Sequence, residues 1–232
     1  MAFPARQSNW TWIPDVRVHR PWYESGGSPW LSRAWYERYK RLLDITICAA
    51  ILLPGLLALA VCCLAIRIES PGRPWFVQQR TGKGGRRFGM FKLRTMVANA
   101  AELKAQYMHL NELRYPDFKI TNDPRVTRVG RILRKLSLDE LPQILNVLRG
   151  DMTLVGPRPT SFAADTYSLW HTARLEVKPG LTGLWQIGGR GELEFDDRLR
   201  LDIAYIRHRC FRLDVQILIR TFAAVLTTRG AH

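Results

Sequence analysis

The feature that most limits this chain is an uncharged apolar run, ITICAAILLPGLLALAVCCLAI, from Ile45 to Ile66. Its length matches the roughly 20 residues that a helix needs to cross a bilayer, so a single membrane span is the plain reading. Two details oppose it. Pro54-Gly55 sits near the middle, where Pro removes a backbone hydrogen bond and Gly loosens the helix. Each half then reaches about 15 Å, half of the ~30 Å hydrocarbon core. Arg33, Arg38, Lys40 and Arg41 precede the run and Arg67, Arg73 and Arg80 follow it, whereas a spanning helix carries its positive excess on one side. The expectation is a Pro-broken re-entrant helix, hinged at Pro54, that enters and leaves on one membrane face. A kinked span is the alternative.

The 232 residues suffice for one domain with a real core. The balance of 35 Lys+Arg against 20 Asp+Glu, a formal charge of +15, calls for an anionic partner: nucleic acid, anionic lipid or a phosphorylated substrate. Nucleic acid leaves the apolar run unexplained and finds no recognised binding motif. Of the four cysteines, Cys48, Cys62 and Cys63 lie inside the apolar run and Cys210 far from it. Without zinc-type spacing they read as reduced, structural side chains. The N-terminal stretch lacks the continuous apolar segment of a signal peptide. The expected organisation is an irregular arm at 1–37, a membrane helix-hairpin at 38–68 and a cytoplasmic domain at 69–232.

In that domain WFVQQR and RRFGMFKLR have strand composition and TGKGG joins them as a short β-hairpin; the glycines do not follow the phosphate-loop pattern. Residues 97–113 have helical composition. RVTRVGRILRKL sets basic residues around Val126, Val129, Ile132 and Leu133, as a membrane-surface helix or a solvated basic face does. In SLDELPQILNVLRGDM, Ser137 and Glu140 form a capping box and Asp139 falls in the first turn. Capping alone would explain the acids. Their neighbours point further: Arg131, Arg134 and Lys135 lie upstream and GPRP, Gly156 to Pro159, downstream. Acids at a helix start beside several arginines can hold a metal and a diphosphate together. KPGLTGLWQIGGRGE reads as a loop around Gly180, Gly183 and Gly189, and two helical patterns end the chain.

Taken in order, KRLLD with the Pro-broken run, ESPGRPWFVQQR, FKLRTM, TNDPRVTRVGRILRKLSLDELPQILNVLRGDMTLVGPRP and KPGLTGLWQIGGR resemble the bacterial sugar transferase family, the small monotopic phosphoglycosyl transferases. The likeness covers about residues 38–232. It implies an α/β, mainly helical, small monotopic membrane protein with interfacial amphipathic helices and a short β-hairpin, seated on the cytoplasmic leaflet of the bacterial inner membrane among anionic lipids. It implies an Asp-Glu dyad at Asp139 and Glu140, with Asp139 attacking the sugar-bearing phosphate of a UDP-sugar to release UMP. Polyprenol (undecaprenyl) phosphate then displaces the carboxylate. Mg²⁺ is implied, with Asp139 a ligand. By motif position Arg134, Arg158, Lys92 and Arg94 fall on phosphate or nucleotide contacts, with Pro157 and Pro159 beside them, although each cation could equally be a structural ion pair. Where many members have Ser before the hinge proline, this chain has Leu53, which removes a Ser-backbone bond at the bend. The C-terminal ELEFDDRLRLDIAYIRHR resembles the exopolysaccharide-initiating branch, whose members often transfer glucose or galactose phosphate. Homo-oligomerisation is left open.

Overall fold

A computed structural model describes residues 33–112, 118, 120–163, 166, 169–187 and 193–226. The arm before residue 33, Gly189 and the last six residues lie outside the described residues.

The chain is mainly helical. Helix α1 (Arg33–Glu69) runs 37 residues, with Pro54 inside it. Helical structure continues through the proline, so the expected break does not appear as an interruption. Pro54 still cannot donate to the carbonyl of Ala50. The helix is long and apolar enough to cross a membrane. Leu53, Leu57, Val61 and Leu64 are 79%, 73%, 62% and 61% exposed, an apolar face of the kind that marks a membrane or partner surface.

A narrower stripe of α1 packs against the rest of the molecule. Cys48 joins the main core with Phe88, Ile144, Val147, Met152 and Tyr205. Cys62 and Ile66 form a second cluster with Leu93 and Leu133. The four cysteines are free thiols, and Cys48 and Cys62 pack as small hydrophobes, as expected.

Charged residues tie both ends of α1 down. Near its start, Arg41 donates to the carbonyls of Val147 and Leu148 at 2.5 and 2.8 Å, in the last turn of α3 (Ile144–Arg149). At its end, Glu69 accepts from the amides of Arg128 and Val129 at 2.7 and 2.9 Å, the first turn of α2 (Arg128–Lys135). Each bond satisfies groups that a helix terminus leaves open, and each sign complements the helix dipole.

The expected hairpin is present. Strands β1 (Trp75–Thr81) and β2 (Arg87–Leu93) pair antiparallel, with Trp75 opposite Leu93 and Thr81 opposite Arg87. A second sheet was not expected: β3 (Thr153–Val155) and β4 (Gly180–Thr182) pair in parallel. Gly180 permits it, because a Cβ there would stand 2.1 Å from the amide nitrogen of Gly156. Helices α4 (Phe195–His208) and α5 (Phe211–Leu226) close the core.

The helix expected over 97–113 does not form. Its described part makes only the short 3-10 turns Glu102–Lys104 and Met108–Leu110. Most of its side chains face solvent, and a short helix without a buried face gains too little from propensity alone.

Candidate active site

Helix α2 is capped by Thr127, whose side chain accepts from the Gly130 amide at 2.9 Å. Its other end holds Arg134 and Lys135. The chain then turns sharply at Ser137, whose φ of 55° is the one left-handed backbone among the described non-glycine residues. A 3-10 turn, Leu138–Gln143, follows directly.

The capping box is therefore not made. A capping serine needs extended backbone to aim its oxygen at the following amides, and Ser137 makes no side-chain cap bond. The strained turn brings the last turn of α2 back beside the first residues of the 3-10 turn. Left-handed strain of this kind costs about 1–3 kcal/mol and concentrates at functional sites.

Freed from capping, the two acids face cations. Asp139 is 9% exposed, with Lys92 Nζ 3.6 Å from its Oδ2. Glu140 Oε1 lies 3.5 Å from Lys92 Nζ and 2.6 Å from an Arg158 terminal nitrogen. Arg134 donates through Nε to Thr95 Oγ1 at 2.9 Å, and its charge acts on Asp139. The fold thus gathers Lys92, Arg134, Asp139, Glu140 and Arg158 into one constellation. Burial pushes the Asp139 carboxyl above the ordinary carboxylate range; Glu140 adds to this, while Lys92, Arg134 and Arg158 pull it down. The Asp139 carboxylate takes no hydrogen bond among the described residues.

Arg94 is placed differently. Its guanidinium donates to the carbonyls of Pro71 and Ser70 at 2.8 and 2.5 Å, holding the turn after α1. Pro157 and Pro159 are buried on either side of Arg158. The Pro157 carbonyl accepts from the Gly180 amide at 2.8 Å, so the GPRP segment is fixed by the loop around Gly180. The Arg158 carbonyl accepts from Arg174 at 2.5 Å, and Arg174 pairs with Asp202 at 2.7 Å.

The positioning roles of three residues were not read from the sequence, although Asp44 closes KRLLD and Asn146 lies in the long central string. Asn146, fully buried, accepts from the Phe91 amide at 3.0 Å and donates to the Gly89 carbonyl at 2.8 Å. It thereby locks α3 to β2 and sets Lys92 against the acids. Asp44 accepts from Thr153 Oγ1 at 2.6 Å and from the Leu154 amide at 3.0 Å, joining α1 to β3. Arg174 is the third. A polar residue inside an apolar stretch, as in ILNVL, is a further local signal.

The residue after the dyad lies against α1. Leu141, next to Glu140, sits 3.8 Å from where a Cβ on Gly55 would be, beside Pro54 at the middle of α1.

A model of the family described as bacterial sugar transferase matches residues 35–228. The chain belongs to this family. Among its relatives is a UDP-glucose:undecaprenyl-phosphate glucose-1-phosphate transferase of Caulobacter vibrioides, 45% identical over 219 residues, 89% of this chain and 76% of that protein. The exopolysaccharide production protein ExoY of Rhizobium meliloti is 38% identical over 201 residues, 83% of this chain and 88% of that protein. The galactosyl transferase CpsE of Streptococcus agalactiae is 41% identical over 196 residues, 83% of this chain; the match spans 43% of its own length. This family member thus compares with nearly the whole of one relative and under half of another. The family assignment agrees with the resemblance carried by the motifs from KRLLD to KPGLTGLWQIGGR.

Proposed function

We propose that this sugar transferase moves a hexose-1-phosphate, glucose or galactose, from a UDP-sugar to undecaprenyl phosphate and so initiates an exopolysaccharide. The observation that carries the reading is the under-satisfied carboxylate of Asp139, buried among Lys92, Arg134 and Arg158, two residues before a leucine packed on the middle of an apolar helix. The named activities of the relatives from Caulobacter vibrioides and Streptococcus agalactiae support the donor and acceptor classes.

In the first step an Asp139 oxygen attacks the sugar-bearing phosphorus. The bridging P–O bond of the diphosphate breaks and UMP leaves, giving a phosphosugar-aspartyl enzyme. In the second step an oxygen of undecaprenyl phosphate attacks the same phosphorus and expels the carboxylate. No net proton is required in either step. A covalent intermediate lets a water-soluble donor and a lipid acceptor use one site in turn. Arg158 and Arg134 offset the charge that the diphosphate brings, and Glu140 keeps Arg158 in place.

Mg²⁺ suits the donor set. Asp139 and Glu140 are adjacent carboxylates, and Mg²⁺ is usually held by one or two carboxylates together with substrate phosphates. Among the described residues no third acid or histidine joins them. Bound there, Mg²⁺ would neutralise charge on the phosphoryl oxygens.

The helix α1 enters and leaves on the cytoplasmic face of the inner membrane in this reading, bent at Pro54. What supports it is that Arg41, Gly55 and Glu69 all contact the same body. A helix crossing ~30 Å of hydrocarbon carries one end away from a domain on the other side. Labels at Trp35 and Arg73 reached from the same side of sealed vesicles support re-entry; labelling from opposite sides refutes it.

Incubation with Mg²⁺, undecaprenyl phosphate and a panel of UDP-sugars tests the reaction. UMP release with one UDP-hexose, and growth of a lipid-linked sugar, is the expected outcome. No release with any UDP-sugar contradicts the reading.

A further inference from the structure

A cleft of about 580 Å³ opens beside α2, inside the ~300–1,000 Å³ range of small-molecule sites. A second cleft of about 230 Å³, at the foot of α1, falls below that range. The larger cleft changes character along its wall. Phe118 and Val126 are apolar, Asn122 and Thr121 neutral and polar, and Arg131 and Arg134 cationic.

Arg134 joins the cleft to the dyad. It lines the cleft, and its charge acts on both Asp123, in the cleft wall, and Asp139. Only Nε is spent, on Thr95; its terminal nitrogens have no protein partner among the described residues. Other polar groups of the cleft are already engaged. Asp123 pairs with Arg125 at 2.6 Å, and Thr121 gives both its amide and its hydroxyl to Glu112 at 2.7 and 2.6 Å. Asn122 is exposed and its amide side chain has no protein partner among the described residues. That leaves the cations Arg131, Arg134 and Lys135, and the Asn122 amide, with the Arg134 guanidinium acting on the reacting carboxylate.

We propose that this cleft holds the nucleoside monophosphate half of the donor, with the leaving phosphate on the Arg134 terminal nitrogens and the base on the Asn122 amide. The inference rests on the nucleotide-sugar reading above. A leaving UMP is an anion joined through ribose to a neutral base that offers both donors and acceptors. The cleft offers the matching groups: cations, with Arg134 acting on Asp139, and an amide able to donate and accept.

The test separates half-reactions and competitors in the full-length, membrane-bound enzyme. Uridine, UMP and inorganic phosphate are used as inhibitors of UMP release, and a preformed phosphosugar-enzyme is chased with undecaprenyl phosphate. Asn122→Ala, on an exposed side chain, raises the KM for UDP-sugar and the inhibition constants of UMP and uridine together, by about three- to tenfold, the worth of one hydrogen bond. It leaves kcat, inhibition by phosphate and the lipid chase unchanged. Arg131→Gln weakens UMP more than uridine. The cleft assignment is overturned if Asn122→Ala leaves UMP and uridine inhibition intact, or if it slows the lipid chase instead. Wild-type enzyme that neither releases nor is inhibited by UMP sinks the nucleotide-sugar reading itself, a failure distinct from that of the cleft.

Discussion

Asp139 and Asp214 are both buried aspartates with a lysine nearby, 9% and 1% exposed, and their surroundings differ in kind. Asp214 accepts from Tyr36 at 2.8 Å, Lys40 at 2.8 Å and Tyr205 at 2.7 Å. Burial holds both phenols well above their ordinary range, so they remain donors. Every lone pair that matters is used, and the network ties α1 to α4, α5 and β3. Asp139 has Lys92 at 3.6 Å and no hydrogen bond among the described residues. A buried carboxylate with its partners in place stabilises a fold; one left under-satisfied among cations is free to act on a ligand.

That contrast can be broken from either side. Asp139→Asn removes the nucleophile and leaves the fold. Transfer, measured as UMP release, falls by on the order of a thousandfold or more, while the thermal midpoint stays near wild type. Full activity in this variant erases the distinction. Asp214→Ala does the reverse. It strands Lys40 in the core and costs about 3–5 kcal/mol, read as a lower denaturation midpoint, with turnover per folded molecule preserved. An unchanged midpoint would show the network to be dispensable.

Smaller changes sharpen the picture. Arg158→Gln removes a preorganised charge from the dyad and lowers kcat about a hundredfold, in line with the loss of one such donor; a change in KM alone would make Arg158 a binding residue only. Lys92→Met acts through pH. The nucleophile must be ionised, so the first half-reaction is lost as pH falls through the raised pKa of Asp139. Removing the Lys92 charge, which pulls that pKa down, moves the acid limb of the UMP-release profile to higher pH. A shift to lower pH contradicts the assignment. Ser137→Gly, which relieves the left-handed backbone, raises stability by up to about 1 kcal/mol. Its readout is a slightly higher denaturation midpoint with the dyad still active.

The same contrast marks what a sequence can disclose. The hairpin was legible because TGKGG separates two strand-like runs, and α2 because its basic-apolar alternation is a local signal. The acids were legible as a pair but not in their setting. Ser137 reads as a cap, and the left-handed turn that cancels the cap depends on how α2 packs against Thr95, where a Cβ on Gly130 would come within 2.1 Å of a carbonyl. The pairing of β3 with β4 was hidden because three residues per strand carry no periodicity and their contact is long-range. Asn146, Asp44 and Arg174 were hidden for a related reason: a polar residue's partner is set by the fold, not by its neighbours in the chain. At 97–113 local propensity pointed to a helix, and the absence of a buried face prevailed.

One measurement bears most directly on the distinction between the two aspartates. The purified enzyme is mixed with Mg²⁺ and its UDP-hexose in the absence of lipid acceptor, quenched, digested and analysed by mass spectrometry. The expected result is UMP release limited to about one equivalent per active site, with a hexose-phosphate adduct on the peptide bearing Asp139 that disappears on adding undecaprenyl phosphate. An adduct on another residue, or transfer that proceeds only when donor and lipid are present together, would contradict it.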